Sequence, residues 1–137
     1  MENIYTNGEY FKRHPTWDVE DSSWKARHVH HMIERNKIGG TRIADIGCGA
    51  GGVLSELSRL MDPNIRYYGF DISPQAIEIA RKHSNDNICF KMEDLLSPNN
   101  DEYFDILLIM DVVEHIPDHI DFLRKSRTKA LYKIFHI

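Results

Sequence analysis

The order of apolar segments predicts an α/β fold, an open parallel sheet of about five strands with helices on both faces. Strand-like and helix-like segments alternate from residue 42 onward, which is typical of parallel strands joined by right-handed crossover helices. A glycine-rich turn, residues 47–52, separates the first strand from the first crossover helix. The fourth strand, residues 104–110, is almost continuously apolar, as expected where helices cover both faces of a sheet.

The N-terminal part of the chain precedes this alternation and has a different composition. Aromatic residues stand among turn formers such as Asn7-Gly8 and Pro15 in the first twenty residues, which predicts an irregular arm. A helix capped by one of residues 21–23 comes next and is expected to end at Gly39-Gly40. We therefore divide the chain into residues 1–38, an aromatic arm and helix that is a candidate lid, and residues 39–137, a core that ends within the fifth strand.

The core is predicted to contain five strands connected by helical segments. The predicted strands are residues 42–46, 65–70, 88–92, 104–110 and 132–137. Ser73-Pro74 predicts a helix start, with serine as the cap and proline at the first helical position. Leu131 is expected in or just after the last helix, which contains Ile120 and Leu123.

Composition excludes several classes of protein. The chain has 137 residues, the usual size of one domain. Seventeen lysines and arginines against 21 aspartates and glutamates argue against a nucleic-acid partner, which needs a basic surface. The longest apolar run, residues 106–110, is far too short to span a membrane, and the first residues lack the pattern of a secretory signal. We expect a cytoplasmic protein that does not insert into membranes.

Cysteines and histidines show no pattern of a metal centre. Cys48 and Cys89 are too few for a disulfide framework, and Cys89 is expected in the core. His28, His30 and His31 lie on one helix, but only the first and last share a face and no carboxylate lies between them. The sequence therefore predicts no metal site.

Four acids lie at the ends of the predicted strands and should meet in one crevice. Asp45 is the next-to-last residue of the first predicted strand. The other three acids come after strands two to four: Asp71, Asp94 and Asp111. Ligands of open α/β sheets bind at the carboxyl ends of the strands. Because the glycine loop contains no arginine or lysine, the crevice suits a ligand with positive charge better than a diphosphate. Gly47, Gly49 and Gly52 nevertheless also fit a dinucleotide fingerprint, so a nicotinamide-binding domain remains an alternative.

Four segments resemble, in the same order, motifs of the class I S-adenosylmethionine-dependent methyltransferases, a Rossmann-like family. These segments are Asp45-Ile46-Gly47-Cys48-Gly49-Ala50-Gly51, Gly69-Phe70-Asp71-Ile72-Ser73, Glu93-Asp94-Leu95, and Phe104-Asp105 through Glu114-His115-Ile116-Pro117-Asp118. Residues 21–25 show a weaker resemblance to small-molecule members. The family usually has seven strands ending in an antiparallel hairpin, so the resemblance implies a core that lacks this C-terminal hairpin.

The resemblance also implies where S-adenosylmethionine binds. Gly47 and Gly49 would lie against its methionine and ribose part, with Asp45 near the amino group and Asp71 on the ribose hydroxyls. The remaining implied contacts are Asp94 and Leu95 at the adenine, Asp111 and Val112 at the methionine end, and the neighbouring Cys48, Gly51 and Ile72.

The predicted function is in-line methyl transfer from S-adenosylmethionine to a small-molecule acceptor. His115, in the loop after the fourth strand, is the candidate general base where the acceptor must lose a proton. Two alternatives stay open, a nicotinamide-dependent oxidoreductase domain and a truncated domain that binds cofactor without catalysis. The unpaired fifth strand would also leave a sheet edge through which copies of the chain can form a homo-oligomer.

Overall fold

The computed structural model describes residues 21–137 and contains a five-stranded parallel sheet. The strands are β1 (Arg42–Ile46), β2 (Arg66–Phe70), β3 (Ile88–Lys91), β4 (Phe104–Met110) and β5 (Ala130–His136), in the spatial order β3-β2-β1-β4-β5. The helices are α1 (Ser22–Arg35), α2 (Gly52–Leu60), α3 (Pro74–Ala80) and α4 (His119–Ser126), with short 3-10 turns at Arg81–His83 and Val113–His115. The predicted α/β fold is confirmed. The predicted aromatic arm falls on residues 1–20, outside the described residues, and its role as a lid stays a prediction.

Two apolar cores, one on each face of the sheet, hold the helices in place. The first contains buried residues of α1, α2 and α3 together with Ile43 and Leu108 of the central strands. The second contains Phe122 of α4 together with Ala44 and Leu107. Successive strand residues point to opposite faces, so β1 and β4 contribute to both cores in turn. The apolar run of β4 is explained by this burial on both sides.

Helix α1 packs into the first of the two cores. Ala26, Val29 and Ile33 are at most 2% exposed and lie in the first core. The helix ends at Arg35, before the predicted Gly39-Gly40, because Lys37 takes a left-handed conformation with φ of 52°. The Ile38 amide then donates to the Ile33 carbonyl at 3.0 Å, a Schellman-type end that did not require glycine.

Two further expectations were wrong. Leu131 lies in β5, which begins at Ala130 because this residue pairs with Phe104 of β4. Cys89 is exposed, since Ile88 and Phe90 of β3 point into the core and the residue between them points away. The start of α3 is as predicted: Pro74 is its first residue, and the Ser73 hydroxyl accepts a hydrogen bond from the Ala76 amide.

No helix between residues 21 and 137 combines the length and the apolar character needed to cross a membrane.

We expect Gly51→Ala to lower the free energy of unfolding by about 2 to 4 kcal/mol. This sum includes the cost of a left-handed backbone for alanine and the cost of overpacking by the added methyl group. Gly51 has φ of 80°, and an added Cβ would lie 2.5 Å from Cζ of Phe90. Urea unfolding checks this, with Gly39→Ala as the matched control because a Cβ there meets nothing within 4 Å. Equal stability of the two variants would show that the loop conformation is not constrained at Gly51.

Candidate functional site

The glycine loop between β1 and α2 is fastened to the neighbouring strand. The amides of Gly47 and Cys48 donate to the Phe70 carbonyl at 2.8 and 3.0 Å. Gly47 and Gly49 have φ of 70° and 55°, in the left-handed region where glycine is favoured. A Cβ on Gly47 would lie 2.7 Å from a methyl carbon of Val112, so glycine allows the loop after β4 to approach this closely. The backbone of Gly47 is exposed and that of Gly49 is half-buried, so both are accessible to a ligand.

Asp71, directly after β2, connects the glycine loop to α3. One carboxylate oxygen accepts from the Gly49 amide at 2.9 Å, and the other accepts from the Ser73 amide at 2.8 Å. Burial raises the pKa of Asp71 above its ordinary value, although the hydrogen bonds from Ser73 and Gly49 act in the opposite direction. Each carboxylate oxygen has a second lone pair, so Asp71 can still accept hydrogen bonds from a ligand.

Asp45 is a buried carboxyl group with an unsatisfied oxygen. The residue is 2% exposed, and its Oδ1 has no hydrogen-bond partner within the described part of the chain. Burial is the main reason that its pKa is raised to about 8; the charges of Asp71 and Asp111 raise it further, while Lys25 lowers it. An unsatisfied buried carboxyl is costly to the fold, and such groups are concentrated at functional sites.

Asp111, directly after β4, is held between two basic side chains. Its Oδ2 lies 2.5 Å from the Lys25 ammonium of α1, and its Oδ1 lies 2.7 Å from Nδ1 of His136 in β5. Burial favours the protonated form of Asp111, but hydrogen bonds from Lys25 and His136 outweigh it and lower the pKa of the carboxyl. Asp111 has φ of 55°, a strained conformation for a residue with a side chain.

Asp94 stands apart from the other three acids. It comes after β3, is exposed, and accepts a hydrogen bond from the Leu96 amide at 2.9 Å. A surface pocket adjoins it, formed together with Glu93, Ser97 and Asn100. The charges of Asp71 and Asp111 act on Asp45, and Asp94, which lines the surface pocket, is not among the acids that do so.

The other predicted site residues differ in accessibility. Ile72 is 39% exposed and Val112 is half-buried, whereas Leu95 is fully buried. Gly51 is buried against Phe90 and has a packing role.

Cys48 and His115 are two side chains near the glycine loop and the loop after β4 whose types can take part in chemistry. Burial raises the pKa of the Cys48 thiol well above its usual range, and the charges of Asp45 and Asp71 act in the same direction. The thiol therefore stays protonated, which disfavours a nucleophilic role. His115 lies at the end of the 3-10 turn after β4 and is exposed.

Sequence reasoning missed two residues of this site, Lys25 and His136. Lys25 approaches from α1, and His136 ends β5, so both reach Asp111 only through the tertiary fold. The weak resemblance of residues 21–25 to small-molecule methyltransferases was the one signal that pointed toward α1. Within residues 21–137, no group of three or more histidine, cysteine or acidic side chains is arranged to hold a metal ion.

Comparison with known proteins identifies the family. A family model described as a methyltransferase domain matches residues 44–129. The ubiquinone biosynthesis O-methyltransferase of Actinobacillus pleuropneumoniae is 28% identical over 141 aligned positions, which cover 91% of this chain and 58% of that protein. The enzyme of the same name from Bradyrhizobium diazoefficiens is 40% identical over 96 positions, covering 66% of this chain and 36% of that protein.

Solved structures show the same fold. Magnesium protoporphyrin IX methyltransferase from Synechocystis, solved with bound SAH, superposes with a TM-score of 0.70 at 18% identity and covers 93% of this chain and 65% of that one. The plantazolicin methyltransferase, also in complex with SAH, gives a TM-score of 0.65 at 23% identity, with coverage of 90% and 47%.

The chain spans little more than half the length of the first of these curated relatives. The family match nevertheless covers β1 to α4, including the glycine loop and the acids at the ends of the first four strands. The resemblance noted in the sequence is thereby confirmed, and this chain belongs to the methyltransferase-domain family.

Proposed function

We propose that this chain binds S-adenosylmethionine at the carboxyl ends of β1, β2 and β4, and that it provides the cofactor-binding part of a methyltransferase acting on a small-molecule acceptor. The observation that carries the proposal is the buried, unsatisfied Oδ1 of Asp45 beside an accessible glycine backbone. The names of the curated relatives, ubiquinone biosynthesis O-methyltransferases, support transfer to an oxygen atom.

The charge of the site fits a cationic ligand. Asp45, Asp71 and Asp111 interact electrostatically, and the last of these is paired with Lys25. A ligand ammonium group near Asp45 would satisfy its unpartnered oxygen and favour its charged form. A diphosphate would add negative charge beside the same carboxylates, so the geometry disfavours the nicotinamide alternative.

The chain's own residues would bind and orient the cofactor. The backbone of Gly47 and Gly49 offers a surface without side chains, and Asp71 retains lone pairs for ribose hydroxyls. The other proposed contacts are Asp45 at the amino group, Asp94 and Leu95 at the adenine, Val112 and Asp111 at the methionine end, and Cys48, Gly51 and Ile72 through neighbouring backbone.

When bound, S-adenosylmethionine would supply a methyl group on a sulfonium, and the acceptor would bond to the methyl carbon in line as the carbon–sulfur bond breaks and the neutral thioether leaves. Such a displacement needs no covalent intermediate with the protein, so the main contribution of the protein is positioning. For an acceptor that must lose a proton, we propose His115 as the base, because it comes after β4 at the same edge of the sheet as the glycine loop.

Both cysteines are free thiols, Cys48 buried and Cys89 exposed. An exposed free thiol is typical of a reducing compartment, which supports the proposed cytoplasmic location.

Calorimetric titration with S-adenosylhomocysteine tests cofactor binding. We expect the chain to bind it at pH 8.5 and Asp45→Asn to weaken binding about tenfold, the loss of one charge-assisted hydrogen bond. Asp121→Asn, an exposed change on α4, is the control and should bind like the unmodified chain. Absence of binding at millimolar ligand, or preferential binding of NADH, would contradict the proposal.

Methyl transfer to phenolic acceptors by the same chain separates an enzyme from a domain that only binds cofactor. We expect labelled methyl groups to reach an acceptor oxygen. Tight binding of S-adenosylhomocysteine without transfer to any acceptor would favour the non-catalytic alternative.

Stability should fall with rising pH because of Asp45. Its pKa is about 8 in the fold and 3.8 as the ordinary value, so the folded state holds a proton that the unfolded state loses. The free energy of unfolding should therefore decrease by up to about 1.4 kcal/mol per pH unit between about pH 4 and pH 8. Above pH 8 it should level off. Urea unfolding measures the free energy of unfolding at pH 5 and at pH 7.5. The decrease between these two pH values should be clearly smaller for Asp45→Asn than for the unmodified chain, whereas Asp121→Asn should keep the full decrease. An unchanged slope in Asp45→Asn would refute the assignment.

We also propose that copies of the chain associate through β5. This strand forms one edge of the described sheet, and Leu131 and Phe135 on it are 61% and 41% exposed. A two-fold arrangement would pair two such edges in antiparallel fashion. Sedimentation should show concentration-dependent dimers that Leu131→Lys and Phe135→Lys together abolish, while Leu60→Lys on α2 leaves them intact. A monomer at all concentrations would contradict the proposal.

A further inference from the structure

We propose that His136 of β5 binds the methyl acceptor, with Nε2 of the imidazole accepting a hydrogen bond from an O–H or N–H group of a ring seated between α1 and β5. The inference deepens the proposed function and rests on it. His136 lies outside residues 44–129, which the family model matches, so the match gives it no role. His115 is proposed to take the proton of the reacting oxygen, whereas His136 holds another polar group of the acceptor.

The end of β5 fixes the imidazole of His136 beside Asp111. Met110 of β4 pairs with His136, and the Asp111 amide donates to the His136 carbonyl at 2.9 Å. The side chains are joined as well, because Nδ1 of His136 lies 2.7 Å from Oδ1 of Asp111. Trp24 of α1 packs edge-on against the imidazole, with ring centroids 5.6 Å apart. A ring held by a strand, an acid and an aromatic neighbour can bind a ligand with little loss of side-chain freedom.

The contact with Asp111 decides which nitrogen of His136 can accept a hydrogen bond. Burial favours the protonated form of Asp111, but hydrogen bonds from Lys25 and His136 outweigh it and lower the pKa of the carboxyl. An ionised carboxylate only accepts, so Nδ1 of His136 donates to it. In the neutral imidazole Nε2 is then the acceptor. The side chain is 35% exposed, and within residues 21–137 its hydrogen-bond partner is Asp111, so Nε2 is available to a ligand.

The groove between α1 and β5 has the size of one aromatic ring. Its volume is about 180 Å³, and its lining includes Trp24, Met32 and Met110. A protein cavity of about 150 Å³ is large enough to hold benzene. The imidazoles of the lining are those of His136 and of His28, which packs against Trp24 with ring centroids 4.3 Å apart. The groove therefore fits a flat ring that carries a hydrogen-bond donor.

This groove adjoins the place proposed for the methyl donor. Asp111 and Val112 are the proposed contacts at the methionine end of the cofactor, and Met110, the residue before them, lines the groove. His136 belongs to both places, since it lines the groove and pairs with Asp111. A ring seated in the groove would therefore lie next to the end of the cofactor that carries the methyl group.

The binding of two small ring compounds tests this inference. Phenol and anisole share one ring, but anisole has a methyl group in place of the hydroxyl proton and cannot donate a hydrogen bond. Ligand-detected NMR titration at pH 8.5 measures their dissociation constants for the chain saturated with S-adenosylhomocysteine. We expect the unmodified chain to prefer phenol. His136→Phe should shift the ratio of the two dissociation constants about tenfold toward anisole, the loss of one hydrogen bond to a partly buried acceptor.

Two further variants keep the test decisive. His136→Gln retains an acceptor oxygen on a side chain of similar reach and should keep the preference for phenol, which a merely disturbed fold would not. His31→Phe is the matched control, because this histidine of α1 is exposed and does not line the groove. It should bind both compounds like the unmodified chain.

The outcomes separate this inference from the proposed function. If His136→Phe leaves the ratio unchanged or weakens both compounds equally, the role of His136 is overturned while cofactor binding stands. If a chain that binds S-adenosylhomocysteine binds neither phenol nor anisole, the groove is not the acceptor site and the inference fails alone. If the chain does not bind S-adenosylhomocysteine, the proposed function fails and this inference with it.

Discussion

The hydrogen bonds of Asp71 hold together the site on which every functional inference depends. Its carboxylate accepts from the Gly49 amide in the glycine loop and from the Ser73 amide at the start of α3, and so links the loop after β1 to the helix after β2. The loop is also tied to β2 by two amides that share the Phe70 carbonyl. With these bonds in place, a loop rich in glycine keeps one conformation and presents an accessible backbone rather than a mobile surface.

The second constraint is the accumulation of carboxyl groups at the same edge of a parallel sheet. Asp45 is buried, and its Oδ1 has no partner among the described residues, at a cost to stability, whereas Asp111 is paired with Lys25 and His136. The two acids thus differ: Oδ1 of Asp45 lacks a partner within residues 21–137, whereas both oxygens of Asp111 have one. An unpartnered buried carboxyl such as Asp45 lowers the stability of the fold. Groups of this kind are concentrated at functional sites, where a ligand can satisfy them.

Membership of the methyltransferase-domain family and the local geometry support each other. The family match covers the acids that were singled out by their position, and the fold agrees with that of a solved methyltransferase at 18% identity. The geometry adds two observations: Oδ1 of Asp45 has no hydrogen-bond partner among the described residues, and Lys25, from outside the matched region, carries a charge that acts on Asp45.

The sequence by itself determined the alternation of strands and helices, the glycine-rich turn after β1, the Ser73-Pro74 helix start and the acids at the strand ends, because each depends on neighbours in the chain. Only the tertiary structure decided which acids act together, since Asp94 stands apart and Asp111 is paired with residues from α1 and β5. It also decided that Gly51 packs against Phe90, that Lys37 ends α1 and that Cys89 faces outward. The physical reason is the same in each case: burial and charge pairing join residues that are distant in sequence, and a local pattern carries no record of the partner.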